Sequence, residues 1–276
     1  MNFVGAVPGI PDAIIRRVDA IEFAKSDSDP VNAPISARPG EFLLSFPRVG
    51  RFRVTRGTLI EFAPAPDADP GMVRLLLNGS ARGALIHQRR ELPLHAATLV
   101  PPGGGAALSI CGPSGAGKST LAIELSRRGW LLVADDTTRV TWTDNGPLAW
   151  PSRDSIKLWR DACEANGIEV ANLERVTREL DKYYVQVPAL SDSARLGVIV
   201  ELVQESGDAE LLNAAEKMRL ITRNTYRPLY MRAIGNAADH VRLVAQVASS
   251  CKILKLSGAK SRPAAALADE VAAAMI

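Results

Sequence analysis

Gly112-Pro113-Ser114-Gly115-Ala116-Gly117-Lys118-Ser119-Thr120 fits the pattern G-x-x-x-x-G-K-[ST] without a mismatch. Each residue type has a chemical reason to be there. Glycines let the backbone wrap close to phosphate oxygens, so that successive N–H groups point inward as an anion nest. The helix expected to begin at Lys118 adds the positive end of its dipole. Lys118 is then placed to reach β- and γ-phosphates, and Ser119 to offer its hydroxyl to Mg²⁺. The flanks agree: AALSIC reads as a strand before the loop, and STLAIELSRR as an amphipathic helix after it. The stretch predicts an α/β fold with a phosphate-loop (Walker A) nucleotide site for ATP or GTP, with Mg²⁺ as companion ion.

Working outward, LPLHAATLVP and AALSICG are apolar runs separated by the turn PPGGG, while WLLVADD and TTRVTWTD read as strands after the loop's helix. Asp135-Asp136 therefore ends a strand. In a parallel sheet the carboxyl ends of strands face the ligand. Two acids there can divide the work, one holding Mg²⁺ and the other accepting a proton from an attacking hydroxyl. Asp-Asp-Thr-Thr is equally good turn chemistry. LGVIVELV at 196–203 predicts another strand, whose Glu201 stands where an acid would help hold Mg²⁺. Helices are expected at 155–166, 171–182, 209–226 and 236–248, then a strand in CKILKL and a last Ala-rich helix. Upstream, residues 1–40 read as irregular because of their prolines. FLLSF, GRFRVTRG and TLIEF predict an antiparallel meander. Asp69-Pro70 opens a helix running, with a break near Gly79, to about Arg90. The expected division is a small β-rich unit with a helix at 1–90 and a catalytic domain at 91–276.

Composition narrows the setting. The chain has 276 residues, 33 Lys+Arg and 30 Asp+Glu, and a formal charge of +3. That balance and 5% aromatic residues point to no nucleic-acid partner. No run approaches the roughly 18 apolar residues of a membrane span, and the amino-terminal stretch lacks the form of a secretory signal. Three cysteines without close pairing, and three histidines outside zinc spacing, predict a reducing, cytoplasmic location.

From Leu94 to Asp136, LHAATL and then GPSGAGKSTLAIELSRRGWLLVADD resemble the catalytic domain of the HPr serine kinase/phosphorylase family. The resemblance implies that His95 is an active-site histidine beside the acids, that Asp136 is the general base and that Asp135 is its Mg²⁺-side neighbour. The glycine-rich stretch that bifunctional members carry after the acids has no counterpart here; PLAWPSRDSIKLWRDACEANG stands in its place. The pattern is closer to divergent HPr kinase-related proteins, some of which phosphorylate the terminal serine of ribosomal precursor peptides, lasso peptides among them. An ABC-type ATPase would need a glutamine loop and an LSGGQ-like signature, and neither is present.

Secondary candidates lie downstream. Ser152–Arg160 can present Arg153 and Lys157 to phosphates or to an acidic peptide end, or be a helix start with Leu158 and Trp159 packed inward. RNTYRP sets Arg223 and Arg227 four apart, on one face if the helix continues; Arg227 is the better candidate for charge stabilisation at a γ-phosphate. His87 and His240 are expected to have no catalytic part. The reading is an ATP-dependent kinase acting on a serine hydroxyl of a peptide or small protein. Its alternatives are an HPr kinase, a small-molecule kinase or nucleotidyl transferase, and a non-catalytic nucleotide-binding regulator. The resembled family forms hexamers, so a homo-oligomer is open here as well.

Overall fold

The computed structural model describes residues 4–22, 34–204, 212–257 and 262–275. Two sheets organise it. The first takes β1 (Val4–Val7), β2 (Ile10–Arg17), β3 (Ile35–Arg38), β4 (Glu41–Phe46), β5 (Gly50–Thr55) and β6 (Leu59–Pro64) in the order β1-β2-β6-β5-β4-β3. The meander β3 to β6 is antiparallel; β2 then pairs parallel with β6, and β1 antiparallel with β2. Much of residues 1–40 is thus strand, not irregular chain. Pro11 is tolerated because β2 meets β6 only from Ile14 onward. Residues 23–33 lie outside the described residues.

Asp69 caps α1 (Pro70–Leu76), its side chain accepting from the Gly71 N–H at 3.0 Å. The helix widens by one turn over Leu77–Ala81 and continues as α2 (Arg82–Gln88). The break expected at Gly79 is this widened turn, and the chain stays helical through it. Its inner face packs Val73, Leu77, Ala81, Leu85 and Ile86 onto Phe42, Phe52, Val54 and Ile60 of the sheet.

The second sheet uses β7 (Leu92–Leu94), β8 (Ala97–Val100) and β9 (Ala107–Cys111). The loop and α3 (Lys118–Arg127) follow, then β10 (Leu131–Ala134), β11 (Thr138–Thr143) and β12 (Gly146–Trp150). A two-stranded ribbon of β13 (Ser155–Trp159) and β14 (Lys182–Gln186) brackets α4 (Arg160–Ala165). The chain then returns to the sheet through β15 (Ala194–Leu202), runs through α5 (Ala214–Arg223), α6 (Pro228–Ile234) and α7 (Ala237–Ser250), adds β16 (Lys252–Leu256) and ends in α8 (Ala264–Ala274). The order is β10-β8-β9-β15-β12-β11-β7, with β16 beside β15. Side chains alternate between two cores, as strand pleating requires. Leu108 and Ile110 of β9 face α3 and α8, whereas Ala107 and Cys111 face α5 and α7.

Three expectations are corrected. Residues 155–166 are a strand followed by a short helix, because Ser155–Trp159 pairs residue for residue with Lys182–Gln186. Residues 171–182 are not helical; their backbone bonds across the chain instead, the Val176 N–H to the Lys182 carbonyl at 2.7 Å and the Tyr184 N–H to the Glu174 carbonyl at 2.9 Å. The helix expected at 209–226 is α5, ending at Arg223, and residues 205–211 lie outside the described residues.

The first core is closed by a residue from far along the chain. Tyr230 on α6 is 2% exposed and packs against Phe42 with ring centroids 4.7 Å apart and planes tilted by 50°. Tyr230→Ala should destabilise the protein by about 3 kcal/mol in urea unfolding. Leu229→Ala, at a side chain 66% exposed, should stay within about 0.5 kcal/mol.

Candidate functional site

Strand direction delivers the site. β9 and β15 run parallel, with Cys111 level with Glu201; β8 is antiparallel to β9, and β10 antiparallel to β8. The carboxyl ends of β9, β10 and β15 therefore share one sheet edge with the amino end of β8. That edge collects the glycine-rich loop, Asp135-Asp136, Glu201 and His95. The sheet is mixed rather than parallel, since β8 is inserted between β9 and β10. The convergence survives because the insertion reverses direction twice.

The loop turns on left-handed glycines, with φ of +76° at Gly115 and +94° at Gly117, where α3 begins. A Cβ at Gly112 would meet the Leu202 carbonyl at 2.8 Å, so only glycine fits between the loop and β15. The amides of Gly115, Gly117, Lys118 and Ser119 have no hydrogen-bond partner among the described residues. Lys118 Nζ donates to the carbonyls of Gly112 (2.7 Å) and Pro113 (3.1 Å), which folds the ammonium back over the loop. Burial lowers the Lys118 pKa, against the pull of Asp136 and Asp135. Open amides at a helix start with an ammonium above them can hold phosphate. Pro113, Ser114 and Ala116 shape the turn, with the Ala116 N–H bonded to the Pro113 carbonyl. Thr120 lies one position past Ser119 in the first turn of α3.

Asp135 and Asp136 are separated chemically by one lysine. The Lys157 main-chain N–H donates to Asp135 Oδ2 at 3.0 Å, and its Nζ donates to Asp136 Oδ2 at 2.5 Å. Burial raises the Asp135 pKa, and the neighbouring Asp136 charge adds to the rise. Burial also works upward on Asp136, but the Lys157 ammonium outweighs it and holds that carboxyl at about 2. Lys182, whose pKa is lowered by burial and by Lys157, adds positive charge to the same neighbourhood. Asp136 adopts φ +68°, a left-handed conformation that a carboxylate tolerates better than most side chains.

His95 Nδ1 lies 2.8 Å from the Asp136 main-chain carbonyl and 3.8 Å from its carboxylate. A carbonyl only accepts, so Nδ1 carries the hydrogen and Nε2 is left as an acceptor. Burial lowers the His95 pKa, with Lys118 adding to the effect. His95 is therefore a neutral imidazole fixed beside the acids.

A third cluster ties these parts together. Asn224 Nδ2 donates to Glu201 Oε1 at 2.7 Å, its Oδ1 accepts from the Gly112 N–H at 3.1 Å, and its carbonyl accepts from the His95 N–H at 2.7 Å. Arg223 grips both Glu201 oxygens, through Nε at 2.7 Å and through a second guanidinium nitrogen. Placed here, Glu201 spends its oxygens on Arg223 and Asn224, an arrangement different from the Mg²⁺ ligation expected of it. The shared helix face expected for Arg223 and Arg227 does not form. α5 ends at Arg223, and Arg227 turns left-handed (φ +50°) ahead of Pro228. Arg227 lies over the rings of Tyr226 (5.6 Å) and Tyr230 (5.7 Å), with Asp136 near enough to act on its charge. His87 and His240 are buried and hold the same segment, bonding the Tyr226 carbonyl and the Thr225 hydroxyl.

Beyond the acids lies a cleft walled by the first unit. Leu75, Asn78 and Arg82 line one side, and Arg153, Lys157 and Tyr184 the other. Arg153 and Lys157 come from the Ser152–Arg160 segment, although Trp159, expected inside, is 48% exposed. Sequence reasoning missed Asn224, Lys182, Arg82 and Tyr184. Asn224 stood inside the RNTYRP stretch chosen for its arginines. Arg82 had no signal, because only the fold brings it to Thr137, next to Asp136.

No protein-family model matches the chain, and no curated protein matches it. Among solved structures, it is similar to the HPr(Ser) kinase/phosphatase from Coxiella burnetii, at 21% identity and a TM-score of 0.28. That match covers 41% of this chain and 65% of the other, just under two thirds.

Two outcomes test this geometry. Arg223→Ala strands a carboxylate that is 4% exposed and should cost about 3 kcal/mol, whereas Glu201→Gln, which releases a half-exposed arginine to water, should cost about 1 kcal/mol in the same denaturation assay. The Asp136 pKa lies below the ordinary 3.8, so its share of stability is complete above about pH 4 and lost as pH falls through about 2. Asp136→Asn should flatten that limb of the pH–stability curve.

Proposed function

We propose that the protein is an ATP-dependent phosphotransferase that moves the γ-phosphoryl group to a serine hydroxyl of a peptide or small protein. One observation carries the reading. A loop with open amides and an overlying lysine shares a sheet edge with an ionised Asp136, and a cleft opens beyond the acids. The nucleotide phosphates belong on the loop, cradled by the amides of Gly115, Gly117, Lys118 and Ser119 with Lys118 against the β- and γ-oxygens. The Ser119 hydroxyl and the Asp135 carboxylate suit a hard cation that takes its remaining oxygens from phosphate and water. Mg²⁺ bound there would neutralise charge between the β- and γ-phosphates.

The acceptor hydroxyl enters from the cleft. Its oxygen attacks the γ-phosphorus in line, the bond to the bridging oxygen of ADP breaks, and the hydroxyl proton passes to the Asp136 carboxylate. A carboxylate held at about 2 is a weak base. That is sufficient where the transition state is loose and the hydroxyl loses its proton late, so the first task of Asp136 is to orient the nucleophile. Lys157 keeps Asp136 ionised and can follow the negative charge as it shifts toward the transferring group. His95 buttresses the Asp136 backbone, and Arg227 stands nearby for charge stabilisation. The acceptor implied by the sequence resemblance is a ribosomal precursor peptide of the lasso type, with HPr as the alternative protein substrate.

The assay is γ-labelled ATP with serine peptides and with HPr. Lys118→Ala should abolish nucleotide binding. Asp136→Asn should keep it and lose transfer by about 10²- to 10⁴-fold. Full transfer by Asp136→Asn would remove the base assignment. Label appearing only on a metabolite, or carried from the α-phosphate, would replace the peptide-kinase reading with a small-molecule kinase or nucleotidyl transferase. Tight ATP binding without any labelled product would make the protein a nucleotide-binding regulator.

A further inference from the structure

The cleft is lined by Asp135 and Asp136 and also by cations, two of which form no ion pair among the described residues. Lys157 is spent on Asp136, and Arg139 is spent on Glu91 through two bonds at 2.6 and 2.9 Å. Arg153 and Arg82 are different. Arg153 makes no ion pair or hydrogen bond among the described residues; its guanidinium lies over the Tyr184 ring, 5.5 Å from its centre. Arg82 is 2% exposed and donates to the carbonyls of Pro8 (2.8 Å) and Thr137 (3.0 Å), while its Nη2 has no partner. The hydroxyl of Thr137, the residue after Asp136, is also buried without a partner. Burial lowers the Arg82 pKa to about 10, and the charges of Arg139 and Arg153 add to the effect against the pull of Glu91, so Arg82 and Arg153 lie close enough to sense each other. Leaving a buried donor unsatisfied costs on the order of 1–3 kcal/mol, which a bound anion would recover.

The position of the anion follows from the walls. No residue of the phosphate loop lines this cleft; its lining joins Asn78 and Arg82 of the first unit to Arg153 and Lys157, with Asp135 and Asp136 among them. The nucleotide phosphates approach the acids from the loop, so an anion in the cleft arrives with the acceptor. A planar guanidinium held against an aromatic ring matches a carboxylate edge to edge.

We propose that Arg153 and Arg82 form an acceptor subsite for a carboxylate carried close to the phosphorylated hydroxyl, which makes the substrate an acidic serine peptide rather than a neutral or basic one. The proposal rests on the phosphotransferase reading for the identity of the hydroxyl. Its test does not need transfer. The carboxylate can be a chain terminus or an Asp or Glu side chain, and the probes separate the two. They are a short acetylated alanine peptide ending in serine as free acid, the same peptide as its amide, the amide with Asp before the serine, and the amide with Lys there.

Binding is read from peptide NMR line widths with the full chain and a non-hydrolysable ATP analogue. At least one acid-bearing peptide should bind about tenfold more tightly than the plain amide, and the lysine peptide no better than it. The free acid alone would identify a terminal carboxylate, and the Asp peptide alone a side chain. Arg153→Gln should erase the preference, and Arg153→Lys should keep most of it. Equal binding of all four peptides, binding of none, or a preference that survives Arg153→Gln would overturn the subsite. Failure of the kinase reading would show elsewhere, as unchanged nucleotide affinity in Lys118→Ala.

Discussion

The site depends on how Asn224 is held. It is buried at the end of α5, and its side-chain amide and main-chain carbonyl reach three other elements: Glu201 on β15, Gly112 at the root of the glycine-rich loop, and His95 ahead of β8. Backbone groups at a sheet edge run out of ladder partners and must find others. Here one residue supplies two of them, its side-chain oxygen taking the Gly112 N–H and its main-chain carbonyl the His95 N–H, while its amide nitrogen holds Glu201. Glu201 is the counterweight. A carboxylate this deeply buried needs a cation and hydrogen bonds, and Arg223 and Asn224, consecutive in sequence, provide both. The start of the loop is thereby fixed before any ligand arrives, which is the preorganisation that phosphate chemistry draws on.

Lys157 plays the corresponding part on the other side of the acids. Two adjacent carboxylates repel, and burial would push both toward the neutral form. A single residue resolves this by using its main chain on Asp135 and its side chain on Asp136. Because an ammonium stabilises a carboxylate far more than an amide does, the pair splits. Asp136 stays ionised, while the Asp135 pKa rises. The split depends on β13 being a strand: only extended backbone beside β14 brings the N–H and the side chain of one residue to the ends of two neighbouring acids.

The same strand marks the limit of what the sequence showed. The glycine-rich loop, its helix and the Asp-Asp strand end were legible because their chemistry is local, written in consecutive residues. Ser155–Trp159 was not. Its assignment is decided by pairing with Lys182–Gln186, a long-range contact that local propensity does not encode. The segment before Gly40 was misread for a related reason, since prolines that look like breaks fall at strand ends where no ladder bond is needed. Glu201 stood at a strand end like the other acids, and only the fold shows Arg223 and Asn224 closing on it. Arg82 was out of reach altogether, because it lies on a helix of the first unit and meets Thr137 only through docking.

The wide turn in the middle of the helix that joins the units has a further consequence. Gly79 and Gly83 leave room for the Tyr226 ring, where a Cβ at either would come within 2.9 Å of it, and the chain beyond Tyr226 carries Tyr230 and Ile234 into the first core. The two units are keyed into each other and cannot be exchanged as modules. Any replacement for residues 4–88 would need the same groove and the same socket, or it would leave two aromatic rings in water. On the proposed reading, acceptor choice is therefore inherited together with the nucleotide site. It can drift by substitution along the cleft walls, but it cannot be acquired by swapping one lobe for another.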